Sequence, residues 1–251
     1  MIKSSPESKF FEAQFKIIKR EDGTVFLKIE IDSNNQQIIS KIFFKDINNK
    51  LVNLTKFLPS GWKVIFSDNQ EFSTSIHDKT IKIGDLSKNG SILGLLHEFG
   101  HAWIAENMPE VANYSQILED YTKDVTNRSL TLEDLQKSGK NPDDYVEITI
   151  YDPYGKGTGG VDNDEVWFSM LVPKEIIKNY GKAWADCERK AWAYAVKILR
   201  KLRREGIAIE NGLSDVEQLF KEIYSCLKTY DQYFEKEFKD PSSYFTKDKY
   251  L

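Results

Sequence analysis

The sequence predicts an α+β fold: a twisted, mostly antiparallel sheet and one apolar helix in the N-terminal part, with a mainly helical lobe behind them. Three observations lead there. Short segments rich in Val, Ile and Phe, bounded by Gly, Pro, Asp and Asn, recur between residues 15 and 83 and read as strands. Leu95 to Ile104 is an apolar stretch of helical character. Beyond residue 183, apolar residues recur at three- and four-residue spacing in two long runs. With 251 residues, 40% hydrophobic and 29% charged, the composition is that of an ordinary soluble globular chain. One domain over 1–251, with lobes at 9–107 and 108–251, fits this length better than two independent domains.

Taken in order, residues 1–8 read as a flexible tail. Phe15 to Arg20 and Thr24 to Ile31 flank Asp22-Gly23, a hairpin signal because type I′ turns need positive φ. Ile38, Ile39, Ile42, Phe43 and Ile47 then follow a helical spacing, which predicts one helix covering the sheet, ended by Pro59-Ser60-Gly61. Trp62 to Phe66, Phe72 to Ile76 and Lys79 to Ile83 read as further strands leading to the apolar helix.

After that helix, Val111, Tyr114, Leu118, Tyr121 and Val125 suggest another. Lys137 to Glu165 is rich in Gly, Pro and Asp, with Val146 to Ile150 as a strand; it is either a flap over a cleft or a plain connection. Its run Gly155 to Gly160 lacks the GxxxxGK[ST] order of a phosphate loop. Tyr151 and Tyr154 read as ordinary loop aromatics. A long helix spans Ala183 to Arg204. Ser214 to Glu217 has the form of a capping box, ahead of a stripe of Leu219, Phe220, Ile223, Tyr224, Leu227 and Tyr230. That last helix is expected to pack on the Ala183–Arg204 helix and fix its rotation.

Net charge of −4 gives no general affinity for nucleic acid, and the basic run Lys197, Arg200, Lys201, Arg203, Arg204 reads as a solvated helix face. Two cysteines, Cys187 and Cys226, cannot build a disulfide framework. No signal peptide, membrane span or lipidation motif is recognised, so a cytoplasmic location is expected, with signal-less secretion still open.

The apolar helix carries His97-Glu98-Phe99-Gly100-His101. Residues four apart stand one above the other on a helix, so two neutral imidazoles can hold one Zn²⁺ from the same side. Glu98 projects elsewhere and can serve as the base that takes a proton from an attacking water. With three histidines in the chain, this motif should arise by chance in roughly one such sequence in several hundred. A core helix with two satisfied histidines is the competing interpretation. Gly100 costs the helix about 1 kcal/mol relative to Ala, which implies that a neighbouring chain comes close there.

A catalytic zinc site usually has three protein ligands. His77, the remaining histidine, sits at an expected hairpin end and reads as solvated. On the Ala183–Arg204 helix, Trp184, Ala191, Ala195, Ile198, Leu199 and Leu202 share one face; Asp186, Arg189, Lys190 and the basic run share the other. Glu188 falls within the apolar stripe, where an unpaired carboxylate is costly, so it is either a metal ligand or half of a buried ion pair. Glu119 and Asp120 are the alternative third ligands, though both project away from the apolar face of their helix. Cys187 points about 100° away from Glu188 and is not counted as a ligand.

These residues resemble the HExxH zinc metallopeptidases, the zincins, and more narrowly the gluzincin-like members whose third ligand is glutamate. The resemblance implies a zincin-like fold, His97, His101 and Glu188 as ligands of Zn²⁺, Glu98 as general base, and a protein or peptide substrate. It also implies that the strand around Lys79 to Ile83 is the sheet edge along which an extended peptide lies. Trp192 stands four residues after Glu188, where many members carry aspartate. Glu188 with Ala191 and Ala195 is also similar to the small metallopeptidases that cleave phage-type repressors. Two other functions fit the same residues: a zinc-stabilised regulatory or binding module with weak catalysis, and a toxin or effector protease with one protein substrate.

Overall fold

The computed structural model describes residues 15–124, 130–152, 166–210, 213 and 216–233. The chain starts with an antiparallel meander of four strands: β1 (Lys16–Arg20), β2 (Gly23–Ile31), β3 (Gln37–Asp46) and β4 (Leu51–Asn53). The first hairpin stands where the sequence placed it, but its turn is one residue earlier. Arg20 pairs with Gly23, which leaves Glu21 and Asp22 as the loop. Glycine is required at 23 by crowding rather than by a type I′ turn, since a Cβ there would lie 2.2 Å from the Lys45 carbonyl oxygen of β3.

The helix expected over Ile38–Ile47 is instead β3, and the cause of the misreading is local. Lys28 pairs with Lys41 and Ile29 with Ile39, so Ser40 is the extra residue of a β-bulge. Ile39 and Ile42 therefore both face the core three residues apart, and strict alternation resumes at Phe44. A bulge in a strand has imitated the period of a helix.

Three further strands form a second sheet in the order β5 (Lys63–Phe66), β7 (Thr80–Ile83), β6 (Ser73–Ser75), with β5 parallel and β6 antiparallel to β7. The Lys79–Ile83 segment is thus central, and the edge strand of this sheet beside the HExxH helix is β6. His77 sits exposed in the turn between β6 and β7.

Helix α1 (Ser91–Asn107) carries the motif and is buried over most of its length. Its first turn is completed from far along the chain. The Glu210 carboxylate accepts the N–H groups of Gly90 (2.7 Å) and Ile92 (2.6 Å). Arg20 pairs with Glu210 at 3.2 Å and with Asp22 at 2.8 Å, and donates to the Leu86 carbonyl and the Ser91 hydroxyl. The Arg20 and Glu210 side chains are 2% and 0% exposed, so each buried charge has its counter-ion in contact.

The helix expected over Val111–Val125 is broken at residues 113–115 into α2 (Pro109–Ala112) and α3 (Gln116–Lys123). A short α4 (Leu132–Lys137) follows, with a capping box at Thr131 and Asp134. The strand expected at Val146–Ile150 lies in β8 (Tyr145–Asp152), which pairs with β9 (Val166–Pro173), a strand the sequence reading did not anticipate. Tyr154 and the run Gly155 to Gly160 lie outside the described residues.

Helix α5 (Lys174–Arg204) is 31 residues long and buries the expected stripe, with Ala191, Ala195, Leu199 and Leu202 all at 0% exposure. Helix α6 (Val216–Tyr233) buries Leu219, Ile223 and Leu227 in the same core, against α5 as anticipated. The capping box expected at Ser214 to Glu217 rests on Ser214 and Asp215, outside the described residues. One apolar core joins both N-terminal sheets to α1, α5 and α6. Among the described residues, no helix is long and apolar enough to cross a membrane.

Where α1 meets α5, the close approach inferred at Gly100 is present. A Cβ on Gly100 would lie 2.5 Å from the Ala191 carbonyl oxygen and 2.8 Å from its Cα. Backbone cannot yield as a flexible side chain does, so the helices must separate to admit a methyl group. We therefore predict that Gly100→Ala lowers stability by about 1–3 kcal/mol, although alanine improves intrinsic helix propensity by about 1 kcal/mol. Urea unfolding of the two proteins measures this, and a stabilised variant would contradict the close approach.

Candidate metal centre

Helix α1 presents His97 and His101 one turn apart, and α5 brings Glu188 against them. The two Nε2 atoms are 3.1 Å apart, and Glu188 Oε2 lies 3.2 Å from that of His97 and 3.5 Å from that of His101. All three side chains are largely buried, at 8%, 13% and 7% exposure. Donors held about 2.0–2.1 Å from a tetrahedral centre stand about 3.3 Å from one another. The three observed separations bracket that edge, and the group could hold a metal ion. Glu188 Oε2 is buried and has no hydrogen-bond partner, which agrees with an atom reserved for a cation.

The electrostatics agree. Burial opposes a charged His101, yet the Cys187 thiol, Glu188 and Glu98 outweigh it and hold its pKa well above the ordinary histidine value. Burial likewise pushes Glu188 up, while His101 and His97 hold it well below the usual carboxylate range. The Glu188 carboxylate contributes to the first shift and the two imidazoles cause the second, so positive charge facing Glu188 is favoured.

Side chains behind the three donors fix their orientation. Trp192 stacks on the His97 ring with centroids 4.0 Å apart. Cys187 is fully buried, with Sγ 3.7 Å from His101 Nδ1, on the ring nitrogen turned away from the donor cluster. Trp184 Nε1 donates to Glu188 Oε1 at 3.0 Å. Glu98 is 7% exposed, and Thr74 Oγ1 on β6 donates to its Oε2 at 2.7 Å.

Beside this group is a cleft of about 220 Å³, lined by Phe72, Thr74, Ile76, Tyr114 and Trp184 together with His97, Glu98, His101 and Glu188. Burial pushes the Tyr114 phenol up, so it stays protonated and able to donate. Glu119 and Asp120 are not brought to the centre. They lie exposed on α3, where they engage Ser115, Gln116 and Lys123.

Sequence reasoning brought together His97, His101, Glu188 and Glu98 but missed Thr74, Trp184 as a donor, Trp192 as a stacking partner and Tyr114. Trp184 could have been found, since it stands four residues before Glu188 on one helix and such pairs face each other. Nothing local links Thr74 to Glu98. Comparison with protein-family models, curated proteins and solved structures gives no match for this chain.

Proposed function

We propose that this chain is a zinc-dependent hydrolase of peptide bonds, with His97, His101 and Glu188 holding Zn²⁺ and Glu98 acting as general base. The observation that carries the reading is the convergence of three donor atoms within 3.1–3.5 Å of one another, in a cleft that also contains the Glu98 carboxylate. Bound there, such an ion supplies Lewis acidity that polarises a carbonyl and brings the pKa of water near 7.

The protein groups do the remainder. Glu98 accepts a proton from the attacking water and passes it to the leaving amine nitrogen. Thr74 occupies Oε2 of that carboxylate and leaves Oε1 for the transferred proton. The edge of β6, which pairs with no further strand among the described residues, supports a peptide substrate over other amides, because an extended chain can add to it through backbone hydrogen bonds. Such addition reads backbone shape with little regard to sequence. Phe72 and Ile76, flanking β6, give the cleft its apolar surface.

The reading is tested by incubating the protein with a diverse peptide mixture and reading new N-termini by mass spectrometry. Cleavage is expected, abolished by a strong chelator and restored by stoichiometric Zn²⁺. Cleavage indifferent to chelation would overturn the assignment. A tightly held zinc without cleavage of any peptide would favour a zinc-stabilised binding module.

A further inference from the structure

Glu188 shows its two oxygens to different surroundings. Oε2 faces both imidazoles and has no hydrogen bond, whereas Oε1 accepts the Trp184 indole N–H at 3.0 Å. The indole is itself held by an aromatic triangle. It stacks on Tyr114 with centroids 6.0 Å apart and planes within 6°, and it lies 5.9 Å from Tyr180, which lies 5.7 Å from Tyr114. Two ring neighbours restrict the indole, so its single N–H is aimed rather than free to rotate.

We propose that Trp184 sets the denticity of Glu188: by occupying Oε1 it makes the carboxylate a one-oxygen ligand and keeps a coordination position open for substrate. This rests on the metal reading given above. An unoccupied Oε1 can swing onto the same ion, since carboxylates bind metals through one oxygen or two. The open position on which catalysis depends would then be crowded. A tryptophan suits the task because it has one donor, no acceptor and no charge. It satisfies one carboxylate oxygen without competing for the metal, and a hydrogen bond to an ionised acceptor is roughly twice as strong as a neutral one. Trp184 is a positioning residue, acting through Glu188.

Co²⁺ serves as the probe, because its visible absorption weakens as coordination number rises from four to five. The full chain is loaded with Co²⁺, and Zn²⁺ affinity is measured separately by competition with a chromophoric chelator. Trp184→Phe keeps a ring in the aromatic triangle but removes the N–H. It is expected to bind Co²⁺ with a weaker, shifted absorption band and to hold Zn²⁺ about 10–100-fold less tightly. An unchanged spectrum in Trp184→Phe would overturn the proposal and leave the metal reading intact. Should Trp184→Phe fail to fold, Trp184→Gln and Trp184→Leu give the same comparison, since both lose the ring and only Gln keeps a donor. Gln is expected to keep the wild-type spectrum and Leu to lose it; identical spectra would refute the role of the N–H. A wild-type protein that takes up no Co²⁺ or Zn²⁺ would remove both readings together.

Discussion

Glu188→Ala is expected to strip the chain of zinc while leaving it folded. After dialysis against a mild chelator, wild type should retain about one ion per chain and the variant a small fraction of that. The loss has two parts. One of three donors disappears, and with it the negative charge that makes the centre favour a cation at all. Outer-shell partners of metal sites are each worth roughly 10–100-fold in affinity, so removal of a ligand should cost more. The fold should tolerate the change, because alanine fits a stripe already containing Ala191 and Ala195, and the contacts Glu188 makes among the described residues are with two imidazoles and an indole N–H rather than with an arginine or lysine. Glu119→Ala and Asp120→Ala, on exposed α3, serve as controls and should retain zinc. Equal zinc in wild type and Glu188→Ala would show that the third ligand lies elsewhere.

Glu98→Gln is the complementary case, with metal kept and turnover lost. Glutamine has the same length as glutamate, and its amide oxygen can still accept the Thr74 hydroxyl, so the 2.7 Å contact that orients residue 98 can persist. The neutral amide cannot take a proton from water at neutral pH. General acid–base catalysis contributes about 10²–10⁴-fold, and the fall in kcat should lie in that range or beyond it. Peptide cleavage and zinc content measured on one preparation separate this outcome from simple loss of the ion. Full activity in the variant would remove Glu98 from the mechanism.

Much of the centre was legible because helices write their faces into sequence. Two histidines four apart must share a face, and a glutamate in an apolar stripe needs a reason to be there. Gly100 was legible for a similar reason, as an intrinsically poor helix residue kept where Ala191 approaches. Sheets are less forthcoming. The order β5-β7-β6 depends on which non-adjacent strands meet, and no local pattern states that β7 is central. The bulge at Ser40 shows a second failure, since one inserted residue changes the apparent period. The break at residues 113–115 was hidden because apolar spacing continued across it. Contacts such as Thr74 with Glu98, or Glu210 with the start of α1, join residues with no sequence relation. Only the folded chain displays them.

The cap on α1 has a consequence for how the protein assembles as it is synthesised. The Ile92 N–H donates to a carboxylate 118 residues later, and Arg20 reaches the same group from the first hairpin. Until residue 210 has left the ribosome, the helix bearing both histidines begins with unsatisfied amides and an arginine lacking half of its counter-charge. Glu188 emerges shortly before Glu210, on the helix that leads to it. The third donor and the residue that completes the motif helix therefore arrive in one late event. Long-range closure of this kind slows folding, and here the three donor side chains can come together only after both Glu188 and Glu210 have been made.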